Sequence, residues 1–272
     1  MVDGLIPPKR CFAYLTSPEI AALPNKQHIV LVQPLGAVEQ HGPHLPLIVD
    51  AAISMGVLGQ ALQQLDAIAP EIPVYALPPL YYGKSNEHSG FAGTITLKAN
   101  TLMAVLTDIA ESLYHSGFRK LVFFNSHGGQ PQILEIVARD LHEKYPDFAL
   151  FPLFTWRVPN VCGELLTPQE LEFGIHAGDG ETSLMLALYP ELVKMERAVC
   201  EYPANLPQVT RPDSLLSMEG ANPFAWVMRD LSQSGVLGDA TAANLEKGEQ
   251  ILASLAVSWV RLLVDIYEFG RA

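Results

Sequence analysis

Short, unbroken apolar runs alternate along this chain with longer runs of helical period. Within residues 29–35, Ile29-Val30-Leu31-Val32 is a continuous aliphatic run that then meets Pro34 and Gly36, the pattern of a buried strand. Residues 72–77, 121–124 and 148–154 repeat it. Helices are predicted over 50–65, 97–115 (ended by Gly117), 132–144 (ended before Tyr145-Pro146), 181–189 (stopped by Pro190) and 242–269. The alternation predicts an α/β fold with a mostly parallel sheet covered by helices on both faces. In such sheets ligands lie beyond the carboxyl ends of the strands.

The segments at those ends carry chemistry. After the first strand comes Glu39-Gln40-His41-Gly42-Pro43-His44-Leu45-Pro46, and Asp50 follows where the helix begins. Carboxylates with neutral imidazoles suit a divalent cation that acts on water, because zinc, manganese and iron accept both oxygen and nitrogen donors. Asp50 equally fits a helix-capping acid. After the second strand lies Gly83-Lys84-Ser85-Asn86-Glu87-His88, in which Ser85 has the chemistry to bond a substrate and Glu87 and His88 to brace it. After the third comes Asn125-Ser126-His127-Gly128-Gly129-Gln130, where two glycines let the backbone approach a ligand closely. The helix N-terminus behind them suits an anionic oxygen. Finally, His176-Ala177-Gly178-Asp179-Gly180-Glu181 places two acids at a helix start, a position the helix dipole favours in any case. His176, with an unperturbed pKa of about 6.5, suits proton transfer.

Composition narrows the class. The 272 residues fit one large domain, 1–272, with a full core. Lys and Arg number 17 against 29 Asp and Glu, giving 17 − 29 = −12, which argues against nucleic acid or an anionic membrane as partner. Cys11, Cys162 and Cys200 are widely spaced and odd in number, so neither a thiolate metal site nor a disulfide framework is indicated. The N-terminal residues carry no apolar run, and the apolar stretches read as strand-length or broken by charge. A cytoplasmic protein with no membrane-spanning helix is expected. No G-x-G-x-x-G follows the first strand, which sets aside a dinucleotide-binding oxidoreductase.

Taken together, EQHGPHLPL with Asp50 behind it, GKSNEH, NSHGGQ and HAGDGETS resemble the creatininase (creatinine amidohydrolase) family over roughly residues 28 to 190. The resemblance implies a three-layer α/β/α subunit, two divalent metal ions per subunit (Zn, Mn or Fe), a small amide as substrate and a homohexamer. It implies that Glu39 and His127 hold one metal, that His41 holds the other, and that Asp50 bridges the two. It also matches His176 to a histidine near the scissile bond and Ser85 to a substrate-contacting serine, while Trp156 answers to a substrate-facing tryptophan. Two positions depart from the creatinine enzyme. Gly129 stands where that enzyme has a metal-binding glutamate, so Glu181 is the first candidate replacement and Asp179 the second. Glu172-Phe173 stands where it has a Trp-Asp pair.

The expected chemistry is hydrolysis of a C–N bond by metal-activated water. A metal or a backbone N–H of the His127-Gly128-Gly129 turn takes the developing oxyanion, and His176, with Glu181 nearby, moves the proton. Relatives suggest two other substrates, a formylamino-pyrimidine nucleotide and a small peptide precursor. A relative that binds metal without turnover is a further reading, with Gly129 and Phe173 as its clues. Residues 203–220 read as a loop over the pocket or a neighbouring subunit.

Overall fold

The computed structural model describes residues 5–203 and 214–270. Four parallel strands, β1 (Val30–Leu35), β2 (Val74–Ala76), β3 (Lys120–Asn125) and β4 (Ala149–Phe154), pair in the order β2-β1-β3-β4. The registers Val30↔Lys120 and Lys120↔Ala149 bring the strand starts level. The carboxyl ends of β1 and β3 are level too, and their following loops open on the same rim. A small antiparallel pair, β5 (Cys200–Glu201) with β6 (Gly238–Asp239), lies apart from the sheet.

The helices, in chain order, are α1 (Ser17–Ala22), α2 (Val49–Ile68), α3 (Ala99–His115), α4 (Pro131–Lys144), α5 (Cys162–Leu165), α6 (Pro168–Phe173), α7 (Asp179–Leu188), α8 (Met228–Leu231) and α9 (Leu245–Glu268). Side chains alternate across the sheet. Val30, Val32, Val122 and Phe124 pack with α2, α7 and α9 in one core, while Leu31, Leu35, Leu121 and Phe123 pack with α3 and α4 in the other. This gives the three-layer α/β/α architecture.

Strand β2 is shorter than its apolar run because Pro73 and Pro78 flank it and supply no N–H to a ladder. Helix α2 starts at Val49 with Ile48 as its cap residue. Asp50 therefore lies inside the first turn and is not the cap. Its apolar residues run all round, and most of the helix is buried. Helix α9 corrects one expectation: by length and hydropathy it is capable of crossing a membrane. Here Ile251, Leu255, Trp259, Leu263 and Ile266 are buried in the core, Trp259 donates to the Thr155 carbonyl (3.1 Å), and Lys120 Nζ caps the helix end through the Ile266, Tyr267 and Phe269 carbonyls. The predicted loop 203–220 falls largely on residues 204–213, which lie outside those described; Glu219, beyond them, lies at the cavity described next.

Candidate metal centre

Four loops meet at the rim. Glu39 and His41 follow β1, Asp50 opens α2, His127 follows β3, and His176 precedes α7 with Glu181 in its first turn. Glu39, His41, Asp50 and His127 are all at least 97% buried. Asp50 Oδ2 lies 3.3 Å and Glu39 Oε2 3.4 Å from His127 Nδ1; Asp50 Oδ1 lies 3.6 Å and Glu181 Oε2 4.0 Å from His41 Nε2. Among the described residues, four three-residue groups have their ligand atoms within 4.8 Å of one another: Glu39, His41 and His176; Glu39, Glu87 and His88; and two that share Asp50, namely Glu39, Asp50 and His127, and His41, Asp50 and Glu181.

The hydrogen-bonding backbone decides which ring nitrogens are open. His41 Nδ1 donates to the Glu39 carbonyl (3.1 Å), leaving the Nε2 lone pair toward Asp50 and Glu181. His127 Nε2 donates to the Lys84 carbonyl (2.8 Å), leaving the Nδ1 lone pair toward Glu39 and Asp50. A second nitrogen anchored in this way is usual for metal-binding histidines. Glu39 Oε2, His41 Nε2, Asp50 Oδ2 and Glu87 Oε1 are buried without a hydrogen-bond partner. Such atoms are costly to bury, and a divalent cation satisfies them with chemistry matched to its donors. The residues therefore fit a metal pair.

Electrostatics point the same way. Burial opposes the charge on His41, but the facing Asp50 carboxylate and the nearby Glu181 and Glu39 carboxylates raise its pKa to about 9. His127 is likewise held well above the ordinary range, against burial, by Glu39 and Asp50. Burial and the adjacent Asp50 and Glu39 raise Glu181 to about 7. These groups are short of positive charge, which bound cations supply.

His176 is sandwiched between His41 and His88, with ring centroids 4.2 Å away on each side. Burial and its two imidazole neighbours hold its pKa well below the usual value. Ala177 takes a left-handed conformation (φ 52°), and its N–H donates to Glu181 Oε2 (2.6 Å). Glu170, also buried, ties this loop down: it accepts from the Asp179 and Asp239 N–H groups and from the Tyr202 hydroxyl.

Above the cluster opens a cavity of about 630 Å³ whose lining includes Glu39, His127, Gly128, Gly129, Trp156, His176 and Glu181. Two expected substrate contacts, Ser85 and Asp179, are placed differently. Ser85 is fully buried behind His127, its Oγ 3.3 Å from His127 Nε2, and does not line the cavity. Asp179 turns away to Lys247 Nζ and the Ser183 hydroxyl, so of the two helix-start acids only Glu181 faces the cluster. The space above Gly129 is taken by the Glu87 carboxylate, and Glu219 Oε1 comes within 3.5 Å of where a Gly128 side chain would begin. The presumed anion seat over that turn is thus faced by two protein carboxylates. Glu170, Glu219, Phe224 and Trp226 line the cavity without any motif to announce them.

Fold and cluster define an α/β/α protein with an acid–imidazole site suited to paired divalent cations. The chain belongs to the creatininase family: the model described as creatinine amidohydrolase matches residues 13–263. It is 34% identical over 237 residues to a creatinine amidohydrolase of Pseudomonas putida, covering 82% of this chain and 84% of that one. It is 33% identical over 227 residues to a mycofactocin precursor peptide peptidase of Mycolicibacterium smegmatis, covering 84% and 81%. It also superposes on solved creatininases. A mutant of Zn-Zn type gives a TM-score of 0.73 at 28% identity, covering 94% of this chain and 97% of that one, and a manganese form gives 0.72 at 27% identity, covering 95% and 98%. The chain is accordingly a hydrolase of the amidohydrolase type.

Proposed function

We propose that this protein is a metal-dependent amidohydrolase that cleaves the C–N bond of a small, non-nucleotide amide within one catalytic unit spanning residues 1–272. The observation that carries the reading is the shared carboxylate of Asp50 between two buried imidazoles whose open nitrogens both face it. Glu39, Asp50 and His127 would hold one cation, and His41, Asp50 and Glu181 the other. Bound there, zinc, manganese or iron supplies Lewis acidity and brings the pKa of a water down to about 7.

The chain's own groups do the rest. His176 donates Nε2–H to the Gln40 carbonyl (2.7 Å), so in its neutral form the Nδ1 lone pair lies on the side of Glu39 Oε1, 3.9 Å away. That nitrogen would accept a proton from the attacking water and pass it to the leaving nitrogen, a role worth about 10²–10⁴-fold in rate. Trp156 and Trp226 line the cavity and shield the reacting amide from bulk water.

The charged side chains lining the cavity are Glu39, Glu87, Glu170, Glu181 and Glu219, with no Lys or Arg among the described lining residues. Away from the proposed metal pair and its histidines, a phosphorylated nucleotide finds no lysine or arginine among the described lining residues, which favours a neutral or cationic amide. A short peptide end is the second reading, supported by the similar identity to the peptide peptidase. Cys162 and Cys200 are free thiols, in keeping with a cytoplasmic location, and exposed Leu47, Ile48, Tyr81 and Ile95 are apolar surface for the homohexamer that the family resemblance implies.

Metal-loaded protein presented with creatinine, formylated amines and short peptides tests the proposal. Hydrolysis of at least one class, abolished by chelator and restored by zinc or manganese, is the expected outcome. No turnover of any of them by fully loaded protein would leave the non-catalytic reading.

A further inference from the structure

Gln40 lies between the ligand candidates Glu39 and His41, yet its own side chain reaches away from both. It is 95% buried and every polar atom it has is engaged. Its Oε1 accepts from the Gly42 N–H (2.9 Å). Its Nε2 donates to the Gly235 carbonyl (3.0 Å) and sits 2.9 Å from His88 Nδ1 and 3.2 Å from His176 Nε2. Its backbone carbonyl accepts from His176 Nε2 (2.7 Å), and its N–H donates to the Thr94 hydroxyl (3.1 Å).

These partners leave one way to arrange the protons. A backbone N–H only donates and a backbone carbonyl only accepts, so Gly42 and Gly235 together fix which end of the amide is oxygen and which is nitrogen. One amide proton goes to Gly235. The other goes to His88 Nδ1, which must then be unprotonated, leaving the His88 proton on Nε2, 3.3 Å from Glu39 Oε1. His176 Nε2 faces a carbonyl and so carries its own proton. Gly235 has φ 87°, and a side chain there would land on Gln40 Oε1, so a glycine keeps this arrangement possible.

We infer that Gln40 is a positioning residue that assigns the protons of His88 and His176. Through one carboxamide and one carbonyl it holds both rings in the Nε2–H tautomer. Glu39 Oε1 thereby faces a donor on one side and the open Nδ1 of His176 on the other. The partners lie 48, 136 and 195 residues away in the chain, so Gln40 also fixes the loops of three different elements to one another. The consequence for turnover rests on the proposed hydrolytic reading; the tautomers themselves do not.

The test uses zinc-loaded protein labelled with ¹⁵N-histidine. In the unaltered protein the nitrogen shifts place the His88 and His176 protons on Nε2. Gln40→Glu presents an acceptor to His88 Nδ1, and the proton moves to that nitrogen. Gln40→Met removes the donor with little change in volume, and His88 becomes a mixture of tautomers. In both variants zinc is retained and kcat falls about 10–100-fold, the usual scale for an outer-shell partner of a metal site, with KM changing less than threefold. If His88 keeps a pure Nε2–H signature in both variants, the inference is wrong, whatever the activity. If the tautomers shift while the unaltered protein hydrolyses no amide, the proton assignment stands and only the hydrolytic reading fails. Should Gln40→Glu not fold, Gln40→Met and Gly235→Ala, which displaces the amide, read the same signature.

Discussion

Asp50 faces His127 with one carboxylate oxygen (3.3 Å to Nδ1) and His41 with the other (3.6 Å to Nε2). A single acid at the start of α2 thus joins the loop after β1 to the loop after β3. A carboxylate shared in this way offsets the repulsion of two cations at the roughly 3.5–4 Å spacing of paired metal sites.

The two glycines after His127 are not equivalent. A Cβ at residue 129 would land on the Glu87 carboxylate and come within 2.6 Å of His127 Nε2, whereas the nearest atom to one at residue 128 is Glu219 Oε1 at 3.5 Å. Gly129→Ala is expected to tilt His127 and weaken zinc binding about 10–100-fold, and Gly128→Ala to weaken it less than threefold. Competitive titration against a zinc chelator separates them, and equal effects would remove the steric argument.

Asp179 is expected to matter for stability and not for metal. Its carboxylate lies 2.5 Å from Lys247 Nζ and accepts the Ser183 hydroxyl. Asp179→Ala strands the partly exposed lysine and should cost roughly 1–3 kcal/mol, measured by urea denaturation, with zinc content unchanged. Loss of zinc at unchanged stability would make Asp179 a ligand.

Metal-free protein should be most stable near pH 6.5. Above that, His41, raised to about 9, and His127, also raised, hold protons that the unfolded chain releases near 6.5, so their contribution is present below that pH and lost as it climbs toward 9. Glu181, raised from 4.5 to about 7, loses its share as pH rises between those two values and so partly offsets the fall on the acid side. Below 6.5, burial has lowered His44 and His88 to about 4, and His176 is lowered too; the unfolded chain takes up protons first and stability falls as pH drops toward 4. Saturating zinc displaces the bound protons and should flatten the alkaline arm. Melting temperatures from pH 4.5 to 9, with and without zinc, check both signs.

The acid-lined cavity predicts charge selectivity. For one amide scaffold carrying an ammonium, a hydroxyl or a phosphate at its far end, kcat/KM should rank ammonium at or above hydroxyl, and phosphate at least tenfold below. Preference for the phosphate would restore the nucleotide substrate.

Much of this site was legible because its residues cluster in loops directly after apolar strands. The runs ending at Leu35 and Phe124 predicted where Glu39, His41 and His127 would gather, since buried parallel strands read as largely apolar segments. The choice between Asp179 and Glu181 was not legible. Two positions apart on a helix they point about 200° away from each other, and what settles which faces the cluster is Lys247, 68 residues further on. Ser85 reads as a substrate contact, but Thr96 accepts from its backbone N–H and its side chain lies buried behind His127. Glu219, Trp226 and the reach of Gln40 depend wholly on distant chain packing, for which local pattern carries no signal.

The most direct measurement is metal stoichiometry by equilibrium titration of chelator-stripped protein, followed by elemental analysis. Two zinc or manganese ions per chain are predicted for the unaltered protein, and Asp50→Asn should weaken both sites together, by at least a hundredfold. Fewer than one ion per chain, or two ions held undiminished by Asp50→Asn, would contradict the account.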